Sequence, residues 1–236
     1  MPDNKLEYPG PDGSPDWSSL YRARGEEVSE NRPIFTGDVF FGVEVQGIDG
    51  KVVKNVAILQ HPCALRTNGV DLVPQLIAVE ICSSSLIPQM GWKGNYKIMP
   101  LPEVSGGDDG HCVAKFIWPY LASAHQLDTA RRVACLSQKG VNLLLQRWVF
   151  HNSRVVVPTW KYQDVTSPQF EEADLIEEWC DERVGAEIAV ADAAKECHEW
   201  LRGTSGSGST WQELLEEPQN RSAVRKSMRD KLRVLR

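Results

Sequence analysis

Short runs of apolar residues, separated by clusters of turn-forming residues, dominate the chain from Ile34 onwards. The first two runs, "IFTGDVFFGVEVQ" and "VVKNVAILQ", flank an Asp49-Gly50 dipeptide, which is typical of a tight turn between paired strands. Four further runs lie between Gly, Pro and Ser clusters, at 76–82, 96–101, 112–118 and 131–136. About six short strands at this spacing predict a small, mostly antiparallel β-barrel or a strongly bent sheet.

The apolar period changes after Leu136, from the alternation of strands to the three- and four-residue steps of helices. Ser137 can cap a helix over 138–152. A strongly acidic segment predicts helix over 169–202, either as one helix or as two that meet near Gly185. We therefore expect an α+β fold, in which the barrel is followed by C-terminal helices.

Composition separates both ends of the chain from this central part. Residues 1–33 are rich in Pro, Gly, Asp and Ser and have few apolar side chains, which predicts a mobile N-terminal arm. The Gly-Ser segment 204–209 is typical of a flexible linker. Residues 210–236 open with a capping-box pattern and close with a basic amphipathic helix. The folded domain, a barrel with packed helices, is thus predicted over 34–203.

Charge is distributed unevenly along the chain, whose formal net charge is −6. Residues 169–203 carry a net charge of −8, whereas residues 204–236 carry +3. A basic amphipathic helix binds a groove, an acidic surface or a phosphate backbone, so the tail is predicted to contact a protein partner or the acidic helix itself. The residues expected to make this contact are Arg225, Lys226, Met228, Arg229 and Leu232.

Several classes of protein are disfavoured by what the sequence lacks. It has no apolar stretch of 18 residues and no signal peptide, which predicts a soluble, cytoplasmic protein without membrane contact. It has no phosphate-binding loop, dinucleotide fingerprint or zincin motif, so no cofactor is expected. The six cysteines lack paired C-x-x-C spacing, which is typical of reduced and mostly buried thiols.

His61 and Cys63 are two residues apart, so their side chains can share one face of an extended segment. They could bind zinc together with one residue of the His111-Cys112 pair, or act as base and nucleophile. The spacing typical of structural zinc sites is absent, and so are the signatures of cysteine hydrolases. No metal site is therefore predicted, and the simpler interpretation is a strand-end His beside a buried thiol.

Three segments, "TGDVFFGVEVQ", "KNVAILQ" and "LIAVEICSS", resemble the front half of the PemK/MazF toxin-like small β-barrels. The segment "LDTARRVACLSQKGVNLLLQRW" is similar to the basic strand and Ser-capped helix with which that family ends, so the resemblance covers about residues 34–150. It implies an SH3-like barrel. The active members of the family are sequence-selective endoribonucleases that use an Arg and a Thr or Ser near the scissile phosphate.

The catalytic positions of that family are not kept in this chain. Its Arg-Pro position corresponds to Lys54-Asn55, and its hydroxyl position to Cys82 or Ser83. Metal-independent RNA cleavage needs a cation, a base or acid, a phosphate contact and a hydrogen-bonding group. Lys54 could supply the cation and His61 the base or acid. Arg66 could contact the phosphate, and Ser83 could donate the hydrogen bond. Each also has an ordinary interpretation, as a solvated charge, a strand-end residue or part of a turn.

Aromatic and basic residues interleave in "QRWVFHNSRVVVPTWKY", a pattern that proteins use to hold single-stranded nucleic acid. The expected contacts are Arg147, Trp148, Arg154, Trp160 and Lys161. The alternative is that the aromatic residues belong to the core and the cations are solvated.

Two functions follow from these patterns. The first is a toxin-like or defence-associated barrel protein that binds RNA or DNA, with endoribonuclease activity left open. The second is a non-catalytic adaptor that docks to a larger assembly through its acidic helix and basic tail. The expected protein partner is an antitoxin-like protein or an assembly subunit, and a homodimer is compatible with both.

Overall fold

The computed structural model describes residues 5–11, 14–107 and 110–235, whose contacts divide the chain into two compact units. The first unit comprises the described residues up to 30, together with 34–67 and 71–166. The second comprises 31–33, 68–70 and 167–235. The division therefore falls after residue 166, and not at the predicted end of the folded domain at 203.

Among the described residues, seven strands form one sheet in the first unit, and every pairing is antiparallel. They are β1 (Tyr21–Arg24), β2 (Val39–Gly47), β3 (Gly50–Ile58), β4 (Gln75–Ser83), β5 (Ile98–Leu101), β6 (Cys112–Ser123) and β7 (Arg132–Leu136). The strand order is β1-β7-β2-β3-β4-β6-β5, and β2 also pairs with β6, where Val45 lies opposite Ala122. The pairings of β2, β3, β4 and β6 thus form a closed circle. The predicted hairpin at Asp49-Gly50 joins β2 to β3 and is confirmed.

Among the described residues, the α-helices follow the sheet, apart from one short α-helix between β4 and β5. They are α1 (Gln89–Gly94), α2 (Gln138–Ser153), α3 (Thr159–Val184), α4 (Val190–Arg202), α5 (Trp211–Glu216) and α6 (Arg221–Leu235). The predicted cap of α2 is confirmed, because Gly140 N donates to Ser137 Oγ at 3.1 Å. The acidic segment forms two helices rather than one. These elements confirm the α+β class with C-terminal helices.

Glu7 explains why α3 begins at Thr159, earlier than the predicted start at 169. The Glu7 carboxylate accepts hydrogen bonds from the Thr159 backbone N–H at 2.8 Å and from its hydroxyl at 2.6 Å. Gln146 Nε2 donates to the same carboxylate at 3.0 Å. A carboxylate at this position satisfies a free N–H group of the first helical turn. Because Glu7 is remote in sequence, local patterns do not reveal this cap.

The predicted N-terminal arm contains part of the sheet. Residues 1–4 and 12–13 of the arm lie outside the described residues. Tyr21–Arg24 is strand β1 and pairs with β7, and Leu20 and Ala23 are buried. The structure differs from the prediction here because so short a strand, with one fully buried residue, leaves little periodic signal.

The Gly37-Asp38 step before β2 forms a buried turn that the side chains hold closed. Gly37 has a φ of +85°, and a Cβ on it would lie 2.9 Å from Leu136 Cβ, so only glycine fits. Asp38 Oδ2 accepts hydrogen bonds from Phe35 N at 3.0 Å and from Arg132 Nη1 at 2.8 Å. The Asp38 and Arg132 side chains are at most 2% exposed. A buried ion pair therefore joins the start of β2 to the start of β7.

Apolar residues of α3, α4, α5 and α6 form the core of the second unit. Helix α6 contributes Val224, Met228 and Leu232, which are at most 4% exposed. Their spacing of four residues places them on one face, as the amphipathic pattern of the tail predicts. This apolar face is covered by the chain's own helices.

The acidic face of α3 pairs with the basic face of α6. Arg225 donates to Glu178 at 2.9 Å and to Glu171 at 3.2 Å, and Arg229 also donates to Glu178. The tail therefore docks on the acidic helix of its own chain. Of the two contacts predicted for the tail, the structure has the one with the acidic helix, and it uses Arg225, Met228, Arg229 and Leu232 inside the second unit. Lys226 is exposed.

The Gly-Ser segment 204–209 forms a hydrogen-bonded turn, which differs from the predicted flexible linker. Ser205 N donates to Ser209 O at 2.8 Å, and the Ser205 side chain is buried. The predicted capping box is confirmed: Glu213 N donates to Thr210 Oγ1 at 3.1 Å, and Thr210 N donates to Glu213 Oε2 at 2.8 Å. Composition alone did not indicate that backbone groups of this segment would find partners.

Replacing Asp38 tests the buried ion pair. We expect Asp38→Asn to lower the free energy of unfolding of the first unit by about 3–5 kcal/mol, because the Arg132 charge would stay buried without its partner. Glu44→Gln, which removes a solvent-exposed pair with Lys51, should change the free energy of unfolding far less, because solvent screens that pair. Native-state hydrogen exchange of β2 and β7 amides measures both changes. Equal effects of the two substitutions would contradict this role of Asp38.

Truncating the buried face of α6 tests whether the tail belongs to the second unit. Met228→Ala should destabilise that unit by about 2–5 kcal/mol, because it leaves a cavity in a core where Met228 is fully buried. Lys226→Ala, two residues away on the exposed face, is the control and should change stability by less than about 0.5 kcal/mol. Hydrogen exchange of α4 amides reports the result. Unchanged protection in Met228→Ala would show that α6 is not part of this core.

Candidate functional site

The four residues predicted to be catalytic lie at two different ends of the β3–β4 pair. Strand β3 pairs with β4 through Val56 opposite Glu80 and Ile58 opposite Ala78. Lys54 and Ser83 therefore lie towards one end of the pair. His61 and Arg66 follow the other end of β3. The strand rise of about 3.3 Å per residue puts Lys54 roughly 13 Å before the last residue of β3. The predicted catalytic set is not assembled in one cleft.

His61 has a local structural role. It caps the short 3-10 helix Pro62–Ala64, and its Nδ1 accepts a hydrogen bond from Cys63 N at 3.3 Å. Burial lowers the pKa of His61, so the ring is neutral at neutral pH. Arg66 donates to the Ile34 carbonyl at 3.1 Å. Both residues thus hold the segment that follows β3.

Cys63 is exposed but is not an activated thiol. Its Sγ donates to the Val165 carbonyl at 3.6 Å. Desolvation raises the pKa of Cys63, which is the opposite of what a nucleophilic thiolate needs.

The zinc site considered for His61, Cys63 and the His111-Cys112 pair is not assembled. His111 Nδ1 accepts a hydrogen bond from Glu103 N. Within the described residues, no group of three or more His, Cys, Asp or Glu side chains is placed to bind a metal ion.

Lys54 forms an ion pair with Glu80, at 2.7 Å, across the neighbouring strands β3 and β4. The hydrogen bond to Glu80 raises the pKa of Lys54, and the same bond lowers the pKa of Glu80, so both stay charged at neutral pH. Lys115 lies opposite Glu80 on β6, and its hydrogen bond to Cys82 raises the pKa of Lys115. Lys54 is therefore a permanent cation whose charge is compensated, and it is unsuited to act as a base.

A groove with a volume of about 520 Å³ lies on the outside of the sheet, beside the β2–β3 turn. We call it the sheet groove. Its walls come from the ends of β2 and β3 and from the middle of β6, and are lined by Gln46, Gly47, Ile48, Asp49, Val52, Lys54, Trp118, Pro119, Tyr120 and Leu121. Trp118 is 65% exposed, which is unusual for so large an apolar side chain.

One pattern in the sequence indicates the sheet groove, but the sequence-based prediction of functional residues did not include it. Trp118 and Tyr120 are two residues apart in "FIWPYL", the spacing that places side chains on one face of a strand. The predicted strand ended at 118, whereas β6 continues to Ser123. That extension brings both aromatic residues into the wall of the groove.

Arg147 is buried, which corrects its predicted role in binding nucleic acid. Its guanidinium donates to three carbonyl oxygens, those of Trp92 at 3.1 Å, Asn95 at 2.9 Å and Glu7 at 2.7 Å. Burial lowers the pKa of Arg147 to about 10, so the group remains a cation at neutral pH. It holds together segments of the first unit that are far apart in sequence. Trp148 also packs internally, against Phe116.

The remaining predicted contacts form two aromatic–cation clusters on the first unit. In one, the Arg154 guanidinium lies 4.1 Å and the Lys97 ammonium 5.9 Å from the centre of the Tyr96 ring. In the other, the Lys161 ammonium lies 5.6 Å from the centre of the Trp160 ring. Trp160 is 63% exposed. Geometries of this kind are those of cation–π contacts.

The cations of the two clusters are not neutralised by a carboxylate. Lys97, Arg154 and Lys161 form no ion pair with any carboxylate of the described residues. Arg225 of α6, by contrast, pairs with Glu178 of α3, and Lys54 pairs with Glu80. Exposed aromatic faces beside free positive charges can contact both the bases and the phosphates of a nucleic acid.

Comparison with known proteins adds no assignment. No protein-family model matches the chain, and no curated protein matches it in sequence. In the part of the chain that the structure describes, no helix is long and apolar enough to cross a membrane. Function is therefore inferred from the residues themselves.

The raised pKa of Cys63 leads to a test of thiol reactivity. We expect iodoacetamide to alkylate Cys63 more slowly at pH 7 than it alkylates a cysteine in an unstructured peptide, and the rate to rise as the pH approaches the raised pKa, because only the thiolate reacts. Peptide mass spectrometry follows the modification, and Cys63→Ser identifies the labelled peptide. Alkylation at pH 7 as fast as in the peptide would contradict the raised pKa of Cys63, and faster alkylation would mean that the thiol is activated.

Proposed function

We propose that the protein is a toxin-like or defence-associated small β-barrel protein that binds single-stranded RNA through its two aromatic–cation clusters. The observation that carries the proposal is the exposed ring of Trp160 and the half-buried ring of Tyr96, which lie beside three exposed cations that have no ion-pair partner among the described residues. Aromatic rings accept stacked bases of any sequence, and the cations meet the phosphates.

We further propose that the closed circle of β2, β3, β4 and β6 is the SH3-like barrel of the PemK/MazF-like proteins. Two observations support this. The Gly37-Asp38 step and the basic strand, both of which belong to the resemblance, are joined in the structure by the Asp38–Arg132 ion pair. Strand β7 also leads directly into the Ser-capped helix α2, as the resemblance implies. RNA, rather than DNA, is the polymer that this family suggests.

The proposal concerns binding and does not include cleavage. Metal-independent cleavage needs a base, an acid and a cation around one phosphate. Lys54 and His61 lie at different ends of the β3–β4 pair, and the Lys54 charge is compensated by Glu80. The alternative function is an adaptor that docks to a partner through its acidic helix and its basic tail. We do not favour it, because these two helices bind each other within the chain.

Substitutions in the clusters test the proposal through the salt dependence of RNA binding. Removing two phosphate contacts in the double variant Arg154→Ala/Lys161→Ala should reduce the slope of log K against log salt concentration by about 1.4. Trp160→Ala should weaken binding by about 1–3 kcal/mol, because one stacked base is lost. Fluorescence anisotropy with a labelled oligo(U) RNA measures both, and an oligo(dT) DNA shows whether RNA is preferred.

The control is a double variant that removes the same charge elsewhere. Lys139→Ala/Lys226→Ala replaces two exposed lysines outside the clusters and should leave the salt slope nearly unchanged. If both double variants lower the slope equally, binding is non-specific attraction to positive charge. If the wild-type protein binds neither polymer at low salt, the proposed function is wrong.

A further inference from the structure

The sheet groove combines an exposed aromatic wall with aliphatic neighbours and has the size of a small-molecule site. Its volume of about 520 Å³ lies within the range of about 300–1,000 Å³ that is usual for such sites. Trp118 offers a free ring face, and Ile48, Val52 and Leu121 are exposed beside it. A flat aromatic ring of the ligand would cover this apolar surface.

The polar groups of the sheet groove are suited to a ligand that donates hydrogen bonds. Asp49, in the turn between β2 and β3, is exposed and forms no ion pair with any cation of the described residues. Gln46 also lines the groove; its Nε2 donates to the Gly47 carbonyl at 3.2 Å, and its amide oxygen can accept a hydrogen bond. The carboxylate of Asp49 is therefore available to accept two hydrogen bonds from one ligand.

Lys54 makes the groove a poor site for a phosphate group. It is the cation that lines the groove, and its ion pair with Glu80 compensates its charge. A phosphate would also approach the unpaired Asp49 carboxylate. An uncharged aromatic ring with hydrogen-bond donors on its edge satisfies both the apolar wall and Asp49.

We propose that the sheet groove binds a single unstacked base of the RNA, with a preference for guanine. The base lies against Trp118, and its Watson–Crick edge faces Asp49 and Gln46. Guanine presents two adjacent donors on that edge, N1–H and the N2 amino group, which match the two oxygens of a carboxylate. The other three bases present one donor group there. Proteins that read single-stranded RNA combine stacking with contacts to this edge in the same way.

This inference rests on the proposed function, because it assigns sequence preference to an RNA that the aromatic–cation clusters bind. The first experiment compares oligo(U) RNA with the same RNA carrying one central G, A or C. We expect the G-containing RNA to bind about tenfold more tightly than oligo(U), and A or C to change affinity less than threefold. Binding to oligo(U) tests the clusters, and the gain from G tests the groove.

Two substitutions in the groove and one control outside it complete this experiment. Trp118→Ala and Asp49→Asn should each abolish the gain from G while leaving the affinity for oligo(U) within twofold. Glu26→Gln, which changes an exposed carboxylate outside the groove, should preserve the gain. Equal affinity for all four RNAs, or a gain from G that survives in Asp49→Asn, would overturn the proposal.

A second measurement does not depend on RNA binding by the clusters. We expect GMP, and not AMP, to shift the NMR resonance of the Trp118 indole N–H, which is assigned by its absence in Trp118→Phe. If GMP shifts this resonance while oligo(U) does not bind, the proposed function fails and the base site stands. If oligo(U) binds but neither nucleotide shifts the resonance, the base site fails and the proposed function stands. A shift by both nucleotides alike overturns the guanine preference.

Discussion

The ion pair between Asp38 and Arg132 is the interaction on which the arrangement of the sheet depends. It joins the start of β2 to the start of β7, and β2 is the strand that pairs with β3, β6 and β7. A buried pair adds little net stability, because desolvation offsets the attraction between the charges. Losing one partner, however, leaves a buried charge. The pair therefore disfavours other arrangements of these strands more than it strengthens this one.

Several arginine side chains of this protein make structural contacts between elements that are remote in sequence. Arg147 is fully buried and holds three carbonyl groups from segments remote in sequence, and Arg225 and Arg229 fasten α6 to α3. A guanidinium can do this because its five donors remain charged even when burial lowers the pKa. Part of the positive charge in the sequence is thus used for folding, whereas Lys97, Arg154 and Lys161 lie beside aromatic rings and form no ion pair within the described residues.

Two surfaces of the first unit remain unexplained by folding. The aromatic–cation clusters leave positive charge uncompensated, and the sheet groove leaves Trp118 and Ile48 exposed. An exposed apolar patch favours aggregation unless a ligand covers it, and uncompensated cations attract anionic ligands. Their chemistry is complementary, since one suits phosphates and stacked bases and the other suits the edge of a single base. Lys54 lines the sheet groove, but its ion pair with Glu80 compensates its charge, so it does not resemble the cations of the clusters.

Local patterns in the sequence determined many of the strands, turns and helix caps of this protein, whereas tertiary contacts decided strand β1, the start of α3 and the partners of the charged residues. The Asp49-Gly50 turn, the Ser137 cap, the Thr210–Glu213 capping box and the amphipathic face of α6 depend on neighbours within a few residues, so the sequence predicted them. The start of α3 depends on Glu7, the burial of Arg147 depends on three distant carbonyls, and the separation of Lys54 from His61 depends on the β3–β4 register. No local pattern encodes such partners. The sequence does not distinguish a charged residue that is solvated from one that is paired or buried. The surrounding dielectric and the ion-pair partner are set only when the chain folds.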